Sequence, residues 1–556
     1  MSRTTRRKFV QSALTGGAAL LATHQLSKLP LASAAVDSRI EVLVNEPIGT
    51  IAPEIYGHFV EHLGGVVYDG IWVGENSKIP NVGGIRQALV DALKRTRPSV
   101  IRWPGGCFAD SYNWRDGIGA RAQRPRRPNF WVDAPEWPKG APDGPWKYDT
   151  NHFGTDEYLR FCQLAGAQPY LAANLRSLTP KDFYEWVDYC NSPAGTTTLA
   201  DQRAAAGQRE PWKVKYWGVG NESWGCGGNF APEEYAVEYR RFAEWVPKYG
   251  MNLAFIGSGP NGGDLGWSRR FFGKLAEKGG FGRMWGWALH HYSWNVTGGR
   301  TTDWSQGKGE AVNYPDNEWY ELLSEANVME KLITDHWAIM GEFDRQHRVK
   351  LVVDEWGAWY KPGSEVHSTH LLGQQSTIRD AVLAGLTLDI FHRHADKVAM
   401  AAVAQLINCL QSLFLAHEDK FILTPTYHVF EMYAAHQGAQ SVRTNVSSSR
   451  LSFIRNGKPA TMPGLNGSAS LRDRQLVLTV TNPDPTAARE TEIGVQGATI
   501  KGVSVTTLTA KDIHAHNSFE NPSAIEPQPA QATLKGGALV YTFAPASVTK
   551  LQLELA

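Results

Sequence analysis

The chain has 556 residues, enough for a large catalytic domain and a smaller one. Lys and Arg number 56 against 55 Asp and Glu, a formal charge of +1, so the balance gives no reason to expect nucleic acid or an anionic polymer as partner. Aromatic residues make up 11% of the chain, with 20 Trp; most serve the core, but their flat apolar faces suit the C–H faces of neutral sugars.

In chain order, residues 1–34 read as a targeting segment. Arg6, Arg7 and Lys8 precede a weakly apolar run from Ser12 to Ala22, and Ala32-Ser33-Ala34 offers small residues for cleavage. The pattern resembles a twin-arginine export signal and predicts a periplasmic or extracellular protein. No other stretch approaches about 18 apolar residues, so no membrane is expected in the mature form. Residues 35–50 hold an alternating run, Arg39–Val44, predicted as a strand that joins the second domain.

Residues 51–422 repeat a unit of short apolar strand, loop and amphipathic helix. Strands are predicted at Glu54–Glu61, Ser99–Trp103, Gln168–Asn174, Val214–Asn221, Leu253–Ser258, Met284–His291, Lys350–Glu355 and Val398–Ile407. Pro232 to Tyr249 is the clearest helix, with Tyr235, Tyr239, Phe242 and Val246 on one face. Alternating strand and helix over this length predicts an α/β fold, a (β/α)8 TIM barrel with its active loops at one rim. The long connection Arg121–Trp146, rich in Pro, Arg and Trp, reads as a lid or cleft wall. Its basic cluster Arg124, Arg126 and Arg127 reads as a solvated or interface patch. Residues 423–556 change texture to short alternating runs separated by Gly, Asn and Pro, the signature of a β-sandwich, jelly-roll-like, with a structural role.

Two of the barrel strands end in a glutamate. Val214–Gly220 runs into Asn221 and Glu222, and Leu351-Val352-Val353 runs into Asp354 and Glu355 before Gly357. Each Glu alone could cap a helix or pair with an Arg. Two together, at the carboxyl ends of different strands and beside Trp, are what glycoside hydrolysis needs: one carboxyl protonates the leaving oxygen, the other attacks the sugar or activates water.

The motifs add up in order. They are Gly57-His58-Phe59-Val60-Glu61-His62-Leu63-Gly64, Arg102-Trp103-Pro104-Gly105-Gly106-Cys107-Phe108, Tyr112–Gly117, Phe153–Glu157, Gly220-Asn221-Glu222, His290-His291-Tyr292, Asp354-Glu355-Trp356 and Ala404–Asn408. As a set they resemble glycoside hydrolase family 51, the α-L-arabinofuranosidases, from about Arg39 to the end. The resemblance implies a retaining double displacement, with Glu222 as acid/base and Glu355 as nucleophile. It also implies that Arg102 contacts the nucleophile, that Asn221 binds the sugar 2-hydroxyl, and that Glu61, Tyr292 and Gln405 surround the first sugar. A homo-oligomer, up to a hexamer, is implied as well.

The sequence departs from the family at Cys107, where many members carry an Asn that contacts sugar hydroxyls; a thiol cannot make those bonds. The substrate-binding set is thus Glu61, Arg102, Cys107, Asn221, Tyr292 and Gln405. Five Cys show no CxxC pair, zinc pattern or disulfide framework. Cys107 and Cys226 follow different strands toward the same rim, which leaves a disulfide, a thiol pair or two separate residues open. His290 and His291 read as residues satisfied by neighbours. No metal and no cofactor are expected. The leading function is an exo-acting α-L-arabinofuranosidase on arabinose-containing hemicellulose, pectin side chains or oligosaccharides. The alternatives are a β-D-galactofuranosidase, β-xylosidase or endo-glucanase on the same barrel, or a non-catalytic carbohydrate-binding protein.

Overall fold

Eight short strands, each carrying apolar or aromatic residues on both faces, pair in parallel and close on themselves. In chain order they are Gly57–Phe59, Val100–Trp103, Gln168–Ala173, Tyr216–Val219, Ala254–Gly257, Met284–Ser293, Lys350–Ala358 and Val398–Val403. The computed structural model describes residues 38–294, 296, 303–535 and 538–556; the expected export segment 1–34 lies outside them. Closure comes where the eighth strand meets the first, Ala402 opposite Gly57 and Val403 opposite His58. The interior is filled by Val100, Tyr170, Tyr216, Ala254, Ile256, Ala288, Val352 and Met400, which form one packed cluster. Tyrosines on the third and fourth strands fill the space left by alanines on the fifth and sixth. Leu351 and Val353 alternate with Val352 and face outward into the helix layer.

The strands fall where the sequence predicts, but several are shorter. Pro53–Tyr56 is a 3-10 turn, so the first strand begins only at Gly57. The eighth strand stops at Val403, which leaves Gln405 on the loop beyond it. The expected helix Pro232 to Tyr249 ends at Ala243. Pro247 explains this: it has no N–H to donate and biases Val246 away from helical geometry.

A second sheet of ten strands carries its own core of Ile40, Val42, Leu476, Leu478, Ile493, Leu539, Leu551 and Leu553. Ser38–Thr50 lies inside it, antiparallel to Gln440–Ser448 and parallel to Arg489–Gln496. The chain after Leu423 first forms a helix, Pro425–Tyr433, whose Tyr427, Val429 and Phe430 join the barrel's core, and the sheet resumes only at Gln440. The helix Ile378–Arg393 is buried almost all round and joins the two layers. Its Asp389 accepts from Ser468 Oγ and Thr479 Oγ1, both at 2.7 Å, on strands of the sheet. Among the described residues no helix is long and apolar enough to cross a membrane.

Gly57 is where closure is tightest: a Cβ there would lie 2.4 Å from the backbone oxygen of Ala401. Gly494, on the second sheet, has nothing within 4 Å of its Cβ position. Gly57→Ala is expected to lower the thermal midpoint by several degrees, a loss of about 2 kcal/mol or more, while Gly494→Ala changes stability by no more than about 0.5 kcal/mol. Equal midpoints for the two variants would show that barrel closure tolerates the extra carbon.

Candidate active site

The site lies in a cleft of about 480 Å³ at the carboxyl rim of the barrel, lined among others by Glu61, Asn221, Glu222, Tyr292, Glu355 and Gln405. The seventh strand carries the key irregularity. Ala288 stands opposite Val352 and His290 opposite Glu355, so Val353 and Asp354 together face the single residue Leu289. This bulge breaks the alternation of the strand, and both acids turn inward. Asp354 accepts from Tyr170 Oη at 2.8 Å, while Glu355 accepts from Arg102 Nη1 and from Tyr292 Oη, each at 2.8 Å.

Arg102 is the hub. Its guanidinium is buried, with its second amino group donating to Asn221 Oδ1 at 2.5 Å and its Nε 3.4 Å from Asp354 Oδ2. It also lies over the face of Phe59, 4.6 Å from the ring centroid. Burial works against its charge, but Asp354 and Glu355 outweigh that and raise its pKa. Burial raises Asp354 as well, yet Arg102 and His290 bring it below the ordinary aspartate value. For Glu355 burial wins and its pKa is raised, with His290 and Arg102 opposing and Glu222 adding to the rise.

His290 joins the carboxylates. Its Nδ1 is 2.9 Å from Glu222 Oε1 and 3.4 Å from Glu355 Oε2, and its Nε2 is 3.2 Å from Asp354 Oδ1. Burial lowers the imidazole, but Glu355, Asp354 and Glu222 more than offset it and raise the pKa to about 10. One oxygen of Glu222 and one of Glu355 lie within 4.8 Å of each other. Glu222 is held in left-handed backbone geometry, φ 37°, which tips its side chain from the strand end into the cleft.

Glu61 forms the opposite wall. It accepts from the Phe108 backbone N–H at 2.9 Å, from Trp131 Nε1 at 3.1 Å and from Gln405 Nε2 at 3.3 Å, and its own N–H donates to Gln405 Oε1 at 3.0 Å. Burial raises it to about 7 against the pull of those donors. Trp131 comes from the connection Arg121–Trp146, which with Phe130 and Glu136 walls the cleft. The basic cluster there divides: Arg126 and Arg127 are exposed, in line with the sequence expectation, and only Arg124 corrects it. The Arg124 side chain is only 4% exposed and pairs with Glu157 at 2.9 Å, with Nη1 also donating to Asn151 O, because the loop folds back over the helix whose first turn holds Glu157. Arg127 is exposed and pairs with Asp116.

Cys107 and Cys226 form a disulfide with Cα atoms 5.5 Å apart. Cys226 Sγ lies 3.8 Å from Glu222 Oε2, so the bridge lines the sugar site. Cys162, Cys190 and Cys409 are free and buried. The sequence shows no disulfide framework because the partners are 119 residues apart on loops of different strands.

The structure therefore brings together all the residues the sequence singles out, Glu222 and Glu355 with Glu61, Arg102, Cys107, Asn221, Tyr292 and Gln405. Sequence reasoning missed the parts played by His290, Asp354, Tyr170, Trp131 and Asp110. Asp110 Oδ2 accepts from Asn221 N–H at 3.1 Å and its Oδ1 from Leu175 N–H at 2.7 Å, tying three rim loops together. Alternation from the inward Val352 keeps Asp354 inside the barrel but would send Glu355 outside, and only the bulge, which no residue type announces, turns Glu355 in.

Two domain families match the chain: an alpha-L-arabinofuranosidase 1 domain over residues 92–306 and an alpha-L-arabinofuranosidase C-terminal domain over residues 354–547. An intracellular exo-alpha-L-arabinofuranosidase of Bacteroides ovatus is 36% identical over 96% of this chain and 99% of its own. An intracellular exo-alpha-(1->5)-L-arabinofuranosidase of Bifidobacterium longum is 27% identical over 87% of this chain and 86% of its own. Among solved structures, the GH51 arabinofuranosidase of Xanthomonas axonopodis pv. citri superposes with a TM-score of 0.84 at 35% identity, covering 93% of this chain and 100% of that one. The alpha-L-arabinofuranosidase of Thermotoga maritima, in its arabinose complex, gives 0.78 at 29% identity with the same coverage. The expectation of twin-arginine export to the periplasm or exterior is overturned: the Bacteroides and Bifidobacterium relatives are both named intracellular. Paired arginines before a short Gly- and Ala-rich run are a low-information pattern and carry no weight against that.

The raised His290 imidazole makes a test by pH. Its charge stabilises the fold fully below the unfolded value of about 6.5, and the contribution is lost as pH rises toward the folded value of about 10. The gap in thermal midpoint between the native chain and His290→Gln is expected to be widest near pH 6 and to narrow steadily up to pH 10. A gap that stays constant across that range would mean that the imidazole is not held as a cation.

Proposed function

The chain belongs to glycoside hydrolase family 51, and from that membership and its paired carboxylates we propose that it is a retaining exo-α-L-arabinofuranosidase. It releases terminal non-reducing arabinofuranosyl residues from neutral arabinose-containing hemicellulose or pectin side chains and their oligosaccharides. The observation that carries this reading is that Glu222 and Glu355 offer oxygens within 4.8 Å of each other across one cleft. That closeness suits double displacement, which places the two carboxyls about 5–5.5 Å apart, rather than inversion, which separates them by roughly 6.5–9.5 Å.

In the proposed mechanism Glu355 attacks the anomeric carbon. Arg102 and Tyr292 each donate to one of its oxygens, which favours the ionised form and aims the carboxylate. Glu222 gives its proton to the leaving oxygen as that bond breaks, and the imidazolium of His290 beside it stabilises the carboxylate so formed. With Glu355 esterified its charge is gone, and Glu222 then takes a proton from water as the water attacks the glycosyl-enzyme. Two inversions at one carbon retain its configuration. Asn221 has its Oδ1 committed to Arg102, which orients its amide N–H toward the sugar 2-hydroxyl. Glu61 and Gln405 hold each other and supply acceptors and donors for the remaining hydroxyls. The Cys107–Cys226 disulfide fills the place of the family's Asn with an apolar surface, so hydroxyl recognition at that wall falls to the other residues. A homo-oligomer, up to a hexamer, completes the reading, and sedimentation of the purified protein tests it.

Purified protein assayed on an aryl α-L-arabinofuranoside beside the xyloside and β-D-galactofuranoside analogues tests the substrate; turnover preferring either analogue would replace the arabinofuranoside. The two glutamates separate by leaving group. Glu355→Ala is expected to lose about 10⁴-fold or more in kcat on every substrate. Glu222→Ala is expected to lose about 10²–10⁴-fold on natural sugar leaving groups, to keep the first step with a nitrophenolate, and to regain turnover with azide as a retained glycosyl azide. A retained azide product from Glu355→Ala instead would exchange the two roles.

A further inference from the structure

A second group of metal-type ligands lies outside the catalytic set, on three other rim loops. Asp69 follows the first barrel strand, His370 the seventh, and His417 closes the strand Phe414–His417 after the eighth. Asp69 Oδ2 is 3.2 Å from His370 Nε2 and 2.8 Å from His417 Nδ1, and the three ligand atoms all lie within 4.8 Å of one another. We propose that Asp69, His370 and His417 bind one divalent transition-metal ion of the zinc type, which clamps the loops that wall the cleft.

Several observations support the site. A tetrahedral zinc ion with bonds of about 2.0–2.1 Å keeps its ligand atoms roughly 3.3 Å apart; here the carboxylate oxygen lies 3.2 and 2.8 Å from the two imidazole nitrogens, so small side-chain shifts would admit the ion. Two imidazole nitrogens and one carboxylate oxygen form a donor set for a borderline ion rather than for calcium or magnesium, which take oxygen ligands. The carboxylate is oriented from behind: its Oδ1 accepts from the Glu418 backbone N–H at 2.9 Å and lies 3.6 Å from Arg86 Nη2, leaving Oδ2 to face the imidazoles. His370 is fully buried and its ring rests on Gly65, where a Cβ would sit 2.1 Å from His370 Cδ2, so the backbone holds the ring in place. His417 is partly exposed and leaves a way in for the ion. His367 stacks on His417 with centroids 3.8 Å apart, placing another imidazole over the group.

The clamp bears on the cleft. Gly373 N–H donates to His370 O, and Leu410 N–H donates to Leu372 O, each at 3.0 Å. Leu63, Leu372 and Leu410 line the cleft on this side. An ion tying the three loops would fix the apolar wall of the sugar site without touching the reacting atoms. Without an ion the same atoms can form a carboxylate that accepts from two imidazole N–H groups, so binding has to be measured directly.

The test uses the full-length protein, stripped with a chelator and titrated with Co²⁺ and, by equilibrium dialysis, with Zn²⁺. One equivalent of Co²⁺ is expected to bind with the visible d–d bands of a tetrahedral site, and Zn²⁺ is expected to raise the thermal midpoint. His370→Ala with His417→Ala should weaken Zn²⁺ binding by about 100-fold or more, the upper end of what even supporting residues contribute. Should that double variant fail to fold, His417→Gln, at a partly exposed position, should weaken binding in the same direction. Glu222, His290 and Glu355 form a competing trio, so Glu222→Gln is the control and should leave the Co²⁺ bands unchanged. Absence of stoichiometric binding by the native chain overturns the proposal. So do bands that survive His417→Gln and vanish in Glu222→Gln, which would place the ion at the catalytic carboxylates.

Discussion

The buried guanidinium of Arg102 is the constraint on which the site rests. Asp354 and Glu355 are adjacent in sequence, both turned into the barrel and both nearly without solvent. Two carboxylates so placed repel each other and lose their hydration, and neither can remain charged without a fixed cation. Arg102 supplies it, since a guanidinium does not give up its proton at any working pH. Its three nitrogens are divided among Glu355, Asn221 and Asp354, so one side chain sets the charge of the nucleophile, the tilt of the sugar-binding amide and the ionisation of the supporting acid. His290 is a second cation of a different kind. It is held charged only by the carboxylates around it and can follow their protonation through a catalytic cycle.

The rest of the structure holds these groups at fixed distances. The inner layer around Val352 and Met400 sets the strand ends, and the bulge at Val353–Asp354 converts one strand end into two inward acids. Loops then tie to one another rather than to the strands alone. Asp110 bridges two neighbouring loops, Trp131 reaches across from the long connection to Glu61, and the Cys107–Cys226 bridge joins the second and fourth strand ends. The helix Ile378–Arg393 carries the same rigidity outward to the second sheet through Asp389, Ser468 and Thr479. Burying a polar helix face against a sheet is stable because each of those groups has a partner.

What the sequence determined by itself is local. Eight apolar runs at regular intervals set the barrel, because a strand covered on both faces needs apolar side chains at every position. Alternating runs after Val442 set the second sheet, and Glu222 and Glu355 were legible because an acid after such a run has only the rim to occupy. The tertiary structure decided what depends on where loops meet. Asp69 faces His370 and His417 across 301 and 348 residues, and Cys107 meets Cys226 across 119; no spacing in the chain encodes such meetings. His290 reads in sequence as an ordinary polar residue, and only three convergent carboxylates make it a cation. Arg124 reads as surface charge, and only the fold of its loop buries it against Glu157. Residue type and period dictate which face a side chain takes within its own element, whereas charge state, pairing and ligation follow from the neighbours that closure of the barrel brings within a few ångströms.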